Sequence, residues 1–330
     1  MNLIAARPEG LYCEAGDFYI DPWRPVDRAV ITHGHADHAR YGSKTYLCHA
    51  DSAPILRRRL GDIDVRGVAY GEIVERDGVR VSLHPAGHIL GSAQVRVEHK
   101  GEVWVASGDY NIEPDGTCAA FEPVRCHGFI TESTFGLPIY RWRPQAEVAA
   151  EINAWWRANA EAGRASVIYA YSLGKAQRVL ALVDPAIGPL VAHGAVEPMN
   201  AIYRSRGVAL PATISPEGME KAALRRALVL APPSAAGSPW LRRFPDYADA
   251  FASGWMQVRG QRRRRGIDRG FVLSDHADWQ GLLSAISATG ASRVLATHGS
   301  AATLARYLGE RGLDAGIVQA EYGEEEGEAA

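Results

Sequence analysis

Apolar and polar residues alternate in short runs along the first 135 positions, and Gly, Pro, Asp and Asn separate these runs. This spacing predicts a β-rich half over residues 11–135, built from short strands with little helical periodicity. The clearest unit is a hairpin, in which strands at 93–99 and 102–107 flank a Lys100-Gly101 turn. The exception is residues 53–60, whose apolar spacing is typical of a helix.

The pattern changes to alternating helices and strands after Pro144. A helix is predicted to begin there and to end at Gly163, because apolar residues recur on one face. That face consists of Val148, Ile152, Trp155 and Trp156. Further strands are predicted at 166–171, 190–192, 228–230, 271–273 and 294–297, with helices near 174, after a cap at Asp278, and over 301–308. The alternation indicates an α/β region behind the β-rich half.

The composition is that of a folded protein with 330 residues, of which 47% are apolar. This length suffices for two structural units. No stretch approaches the roughly 20 apolar residues of a membrane-spanning helix, and no charged leader precedes an apolar run, so we expect a cytoplasmic protein without membrane contact. Residues 321–330 predict a solvated acidic tail. The four cysteines lack Cys-x-x-Cys spacing, which favours reduced thiols.

A net charge of −2 argues against a generally basic nucleic-acid-binding protein, so any electrostatic contact surface must be local. The densest basic run is Arg262, Arg263, Arg264 and Arg265, with lesser ones at 57–59, 225–226 and 242–243. Short charge runs usually form solvated faces. The run at 262–265 closely precedes Ser274-Asp275-His276, and it could instead lead a phosphate backbone towards that motif.

Four potential metal ligands occur within six residues after the strand-like segment 28–31. They are His33, His35, Asp37 and His38. An extended backbone places His33 and His35 on one side, and the following turn carries Asp37 and His38, so the run can serve two neighbouring metal ions. For a single His, a position unrelated to metal binding is a reasonable interpretation. For four ligand-type residues at this spacing, clustering by chance is a poor explanation.

Three further ligand-type residues follow predicted strands elsewhere in the chain. His88 lies on a Gly-rich loop, Asp109 follows the hairpin, and His298 follows the strand at 294–297. We expect these loops to share one edge of a sheet. A carboxylate at position 109 could then bridge two divalent ions.

The order of these motifs resembles the metallo-β-lactamase-fold hydrolases, whose His-x-His-x-Asp-His run is followed by His and Asp ligands at strand ends. Within that fold it resembles the β-CASP nucleases. The motifs that carry this resemblance are Thr131-Glu132-Ser133-Thr134-Phe135-Gly136, Ser274-Asp275-His276-Ala277-Asp278 and His298-Gly299, with Asp21 as the early structural Asp and the signature at 171–178. The segments at 254–265 and 274–279 are similar to those of bacterial ligase-associated DNA exonucleases.

The resemblance implies an α/β protein with a four-layer αββα metallo-β-lactamase fold and an inserted α/β β-CASP domain. The expected divisions are 1–164 and 263–320 for the metallo-β-lactamase domain, 165–262 for the insertion and 321–330 for the tail. It also implies two divalent metal ions: zinc, with manganese or iron as alternatives because ligand chemistry separates these metals poorly. His33, His35 and His88 would hold one ion, Asp37, His38 and His298 the other, and Asp109 would bridge them.

The implied activity is that of a DNA exonuclease with 5′ to 3′ polarity, acting in DNA repair beside an ATP-dependent DNA ligase on DNA with a single-stranded end. Asp37, Glu132 and His276 would be catalytic, with a hydroxide held by both metals as nucleophile, His276 as proton donor and Glu132 orienting it. The predicted substrate-binding residues are Ser172, Lys175, Arg262, Arg263, Arg264 and Arg265.

Several alternatives stay open. Glu132 could be an N-cap or a loop ion-pair partner, and Ser172 could be a simple N-cap. RNA is an alternative substrate, because His298 is the residue typical of RNA-processing β-CASP members at the third motif. A small-molecule esterase or thioesterase of the lactamase fold, and a metal-bearing scaffold that binds nucleic acid without cutting it, are the two other classes of function.

Overall fold

The computed structural model describes residues 2–258, 260 and 266–318. The predicted substrate-binding run at 262–265 and the predicted tail therefore lie outside the described residues. Within them, no helix is both long and apolar enough to span a membrane. The described residues divide into two compact units: the first comprises 2–141 and 276–318, and the second comprises 142–258, 260 and 266–275.

The first unit contains a six-stranded and a seven-stranded sheet. The six strands, in spatial order, are β1 (Ala5–Arg7), β2 (Gly10–Cys13), β3 (Phe18–Ile20), β4 (Arg28–Val30), β5 (Thr45–His49) and β6 (Val65–Val68). The seven strands, in spatial order, are β18 (Asp314–Ile317), β17 (Arg293–Thr297), β11 (Gly128–Glu132), β10 (Glu102–Ala106), β9 (Ala93–His99), β8 (Val79–Pro85) and β7 (Ile73–Arg76). The helices of this unit are α1 (Ala53–Leu60), α6 (Trp279–Thr289) and α7 (Ala301–Glu310).

Apolar residues of the two sheets meet in one buried cluster, which includes Leu11 and Ile20 from the first sheet and Val81 and Val95 from the second. Leu282 of α6 and Leu304 of α7 belong to another cluster, with residues of β10, β11 and β17. Leu56 of α1 packs among residues of β4 and β5. Each helix of this unit thus buries one face against a sheet.

The predicted hairpin is confirmed, with β9 antiparallel to β10. Its turn residues Lys100 and Gly101 both have positive φ, 50° and 84°, as a two-residue hairpin turn of type I′ requires. Beyond it, β10 pairs with β11, and β11 with β17, in parallel. The carboxyl ends of these three strands therefore share one edge of the sheet, which is where Asp109, Glu132 and His298 are found.

The second unit has a five-stranded parallel sheet whose spatial order is β13 (Leu190–Ala192), β14 (Leu228–Ala231), β12 (Ser166–Tyr169), β15 (Ala248–Ala252) and β16 (Arg269–Phe271). Its helices are α2 (Gln145–Glu161), α3 (Lys175–Leu182), α4 (Glu197–Ser205) and α5 (Lys221–Leu224), with 3₁₀ turns at Pro233–Ala235, Pro239–Arg243 and Gly254–Gln257. The predicted α/β character is confirmed.

This unit extends beyond the predicted insertion at 165–262 in both directions along the sequence. At the amino-terminal end α2 joins it, because Trp156 is fully buried and its Nε1 donates to the carbonyl of Arg226 at 3.0 Å. At the other end β16 pairs with β15, although the segment from residue 263 had been expected to belong to the hydrolase domain. Partners distant in the sequence decide both boundaries.

Candidate metal centre

Four predicted ligands form one cluster at the edge of the sheets. His35 Nδ1 lies 3.2 Å from His33 Nε2 and 3.1 Å from His88 Nε2. Asp109 Oδ2 lies 3.4 Å from His33 Nε2 and 3.9 Å from His88 Nε2. All four ligand atoms are within 4.8 Å of one another. Three imidazoles and one carboxylate therefore point at a common position.

The other three predicted ligands form a neighbouring cluster. Asp37 Oδ2 lies 3.5 Å from His38 Nε2 and 3.9 Å from His298 Nε2. The His38 and His298 rings stack with their centroids 5.1 Å apart. Asp109 Oδ2 is 3.4 Å from His38 Nε2 as well. One carboxylate oxygen thus lies beside both clusters, the position that a bridging ligand would occupy.

Asp21 fixes the ring of His38. Its carboxylate accepts hydrogen bonds from the Thr32 amide at 2.7 Å, from the Thr32 hydroxyl at 2.5 Å, and from His38 Nδ1 at 2.7 Å. Because Nδ1 is used in this way, Nε2 of His38 is directed to the clusters, and a carboxylate partner also raises the basicity of a ligating imidazole. Asp21 itself has φ 44°, a left-handed conformation, in the turn directly after β3.

His298 stands on a turn that Ser133 holds. Both His298 and Gly299 have positive φ, 59° and 47°. A Cβ atom on Gly299 would lie 2.5 Å from the Ser133 carbonyl oxygen, so only glycine fits there. The Ser133 hydroxyl donates to the Thr297 and His298 carbonyls at 2.8 and 2.5 Å. Sequence reasoning had placed Ser133 in a motif without a role, and its side chain proves to support a predicted ligand.

Electrostatics in the metal-free protein leave three of the predicted ligands, His33, His298 and Asp109, in binding-competent forms. Burial lowers the pKa of His33, and it lowers the pKa of His298 to about 4, so both imidazoles are neutral at neutral pH. Burial would raise the pKa of Asp109, but the adjacent His38 and His33 hold it well below its usual value. Neutral imidazoles and an ionised carboxylate are the forms that bind divalent metals.

The surroundings of His38 favour positive charge. Burial by itself would lower its pKa, yet the carboxylates of Asp109, Asp37 and Asp21 raise this pKa well above the ordinary value. In the metal-free protein a proton on His38 balances the negative charge of these carboxylates, and a bound metal cation would balance it instead. Asp109 Oδ1 is buried and has no hydrogen-bond partner among the described residues. The donor set of imidazole nitrogens and carboxylate oxygens therefore fits two divalent ions such as zinc.

Glu132 and His276 form a buried pair at the same sheet edge. The two carboxylate oxygens of Glu132 lie 3.0 and 2.9 Å from His276 Nδ1, and Oε1 also accepts from the Tyr110 amide at 2.7 Å. Burial raises the pKa of Glu132, and His276 opposes that effect. Since the carboxylate accepts from Nδ1, Nε2 is the atom of His276 that could transfer a proton. Glu132 thus pairs with the imidazole that it was predicted to orient.

In the second unit, the surroundings of Lys175 differ from those predicted for a residue that contacts a substrate phosphate. The Lys175 side chain is buried and forms an ion pair with Asp275, and Arg178, one turn later, donates to the Ser274 carbonyl at 3.0 Å. An ammonium group enclosed in this way does not fit the predicted contact between Lys175 and a substrate phosphate. Its placement instead links α3 to the segment that leads to His276.

Ser172 does not cap α3 either. The N-cap residue is Gly174, whose amide donates to Gln177 Oε1 at 2.7 Å, while Gln177 Nε2 donates to the Ser172 carbonyl at 3.1 Å. The amide of the N-cap residue is therefore satisfied within the chain. The Ser172 side chain is half-buried, and its predicted contact with substrate stays a prediction.

No family model matches this chain. A protein of Opitutus terrae described as a probable DNA ligase is 33% identical over 313 residues, which make up 94% of this chain and 30% of that protein. Endoribonuclease YSH1 of Candida albicans is 29% identical over 122 residues, 36% of this chain and 14% of that protein.

A solved structure from Enterococcus faecalis, titled as a protein of unknown function, matches 90% of this chain and 80% of its own with a TM-score of 0.58. At 12% identity this likeness concerns the fold alone. The chain spans less than a third of the length of each of the two curated relatives.

Proposed function

The chain belongs to the β-CASP nuclease family of the metallo-β-lactamase fold, and from this premise we propose that it is a metal-dependent phosphodiesterase that degrades DNA from its 5′ end. The observation that carries the proposal is the position of Asp109 Oδ2, 3.4 Å from both His33 Nε2 and His38 Nε2. One carboxylate oxygen between two ligand clusters is the arrangement that a pair of hydrolytic metal ions needs. The four-layer form of the αββα fold is part of the proposal.

The seven clustered side chains would hold the ions. His33, His35 and His88 would bind one, Asp37, His38 and His298 the other, and Asp109 both. When bound, two such ions, with zinc favoured over manganese, activate water and offset the charge that develops on the attacked phosphate.

The protein's own contribution beside the metals is proton transfer. His276 would donate a proton from Nε2 to the departing oxygen, and Glu132 would hold the ring through Nδ1. A buried carboxylate at this distance favours the imidazolium form that a general acid requires. Glu132 thus acts through His276, and His276 acts on the substrate.

We favour DNA over RNA as the substrate because the relative described as a probable DNA ligase matches 94% of this chain. The same relative supports an association with a DNA ligase, and a role in DNA repair beside an ATP-dependent ligase is part of the proposal. RNA is the second candidate, favoured by His298 at the third motif and by the relative named an endoribonuclease. A small-molecule esterase gains no support from the names of either relative.

The test is digestion of single-stranded DNA, duplex DNA and RNA, each labelled at the 5′ or the 3′ end, with purified protein and added zinc or manganese. We expect early release of the 5′ label from single-stranded DNA, abolished by a chelator. Cleavage of RNA alone would replace the proposal with a ribonuclease. Hydrolysis of esters or thioesters without any cleavage of nucleic acid would reject the nuclease assignment.

A further inference from the structure

We propose that Arg59 is a positioning residue of the metal centre, which holds the loop at 33–39 in the shape that makes its ligands converge. The inference rests on the proposed metal centre and adds a residue that none of the sequence motifs contains. Arg59 had been part of a short basic run expected to form a solvated face.

The Arg59 guanidinium contacts both ends of the ligand loop. Its Nη1 donates to the Gly34 carbonyl at 2.7 Å and lies 3.4 Å from the Ala39 carbonyl. Gly34 stands between His33 and His35 in the sequence, and Ala39 directly follows His38. One side chain therefore contacts the backbone beside ligands of both clusters.

The loop also closes on itself, because the Ala39 amide donates to the His35 carbonyl at 2.8 Å. This bond alone sets one turn of backbone. The Arg59 contacts fix that turn relative to α1. They thereby determine where the ligand side chains of the turn lie.

Helix α1, which carries Arg59, is anchored by buried residues. Ile55 and Leu56 are fully buried, the latter within the cluster beside β4 and β5. At the start of the helix, the Ser52 hydroxyl donates to the Gly91 carbonyl at 2.9 Å, in the loop that carries His88. The two ends of α1 thus hold the two loops from which the first cluster takes its three imidazoles.

The chemistry favours arginine at this position. Carbonyl oxygens only accept hydrogen bonds, and a guanidinium offers several N–H donors in a fixed plane and no acceptor. Its positive charge strengthens bonds to carbonyls. Lysine would keep the charge but loses the planar donor set, so it is a partial substitute.

The experiment compares Arg59→Gln and Arg59→Lys with Arg58→Gln, which changes an exposed neighbour on the same turn of α1. Metal-free proteins are titrated with zinc against a chromophoric chelator, and zinc release to excess chelator is timed. Loss of a group that orients metal ligands typically weakens metal binding roughly 10- to 100-fold. We expect that loss for Arg59→Gln, a smaller one for Arg59→Lys and none for Arg58→Gln.

Circular dichroism of the metal-free variants shows whether each is folded. Should Arg59→Gln fail to fold, Arg59→Lys carries the test, because it keeps the charge and most of the packing. Zinc affinity and release equal to those of Arg58→Gln would overturn the role of Arg59. Absence of zinc binding by the unaltered protein would overturn the proposed metal centre itself.

Discussion

The Asp109 carboxylate stands where two groups of imidazoles meet, and its charge depends on them. His38 and His33 keep its pKa well below the usual value although it is buried. We predict that Asp109→Ala abolishes hydrolysis and lowers the metal content, since it removes the ligand common to both clusters. Metal analysis after dialysis and the end-labelled digestion measure the two effects.

Asp62→Ala is the matched control, because Asp62 is exposed just beyond α1. It should retain the metal content and activity of the unaltered protein. Full activity of Asp109→Ala on any substrate that the unaltered protein cleaves would contradict the two-metal assignment.

Glu132 holds the His276 imidazole through Nδ1, and we assign His276 to proton transfer rather than to metal binding. We predict that His276→Ala keeps its metals and loses roughly 10² to 10⁴ in rate, the range for a positioned general acid. Single-turnover digestion measures the rate, and metal analysis of the same sample provides the comparison. A metal content that falls in step with the rate would make His276 a ligand or a structural support.

At the scale of elements, helix α3 supports the segment that precedes His276. Lys175 and Arg178 lie one turn apart on α3, and they contact Asp275 and the Ser274 carbonyl. Removing one member of a buried ion pair leaves an uncompensated charge and costs roughly 3–5 kcal/mol, whereas replacing both by apolar residues is often neutral. We therefore predict that Lys175→Met lowers the free energy of unfolding by about that amount.

Denaturant unfolding of Lys175→Met and of the double variant Lys175→Met/Asp275→Leu measures this prediction. The double variant should recover most of the loss. Lys221→Met, which changes an exposed lysine of α5, should have little effect. Equal unfolding free energies for Lys175→Met and Lys221→Met would show that the pair is not important for stability.

At the scale of the whole molecule, the small net charge leaves nucleic-acid binding to local positive regions. We predict that replacing Arg262, Arg263, Arg264 and Arg265 together by Gln weakens binding of single-stranded DNA. Its salt dependence should flatten by up to about 0.7 in log–log slope for each phosphate group that the variant no longer neutralises. Fluorescence anisotropy over a series of salt concentrations measures this slope.

Cleavage of bis-p-nitrophenyl phosphate is the internal control for that variant, because a compact diester needs the metal centre and His276 but no extended binding track. It should persist at the level of the unaltered protein. An unchanged salt slope together with unchanged cleavage of DNA would indicate that the arginines form a solvated face and do not bind the substrate.

The sequence by itself determined what local chemistry controls. The hairpin of β9 and β10, helix α1 at Ala53–Leu60 and the Asp278 cap of α6 all occur as predicted. In each case the signal lies within a few residues: a turn that tolerates positive φ, an apolar period, or a side chain that accepts from the Gly281 amide at 2.8 Å. The sequence also indicated the residue types of the proposed metal ligands, because few functions require four such residues in one short run.

Only the tertiary structure decided which side chains meet. His33 and Asp109 are 3.4 Å apart at their ligand atoms although 76 positions separate them in the chain, and no local pattern encodes that distance. The same reason applies to Ser133 beside His298, to Arg59 beside Gly34, and to Lys175, which a helix start had suggested for phosphate and which packing enclosed with Asp275. A side chain's charge and hydrogen-bonding capacity are fixed by its identity, but its partner is fixed by segments that only the fold brings together.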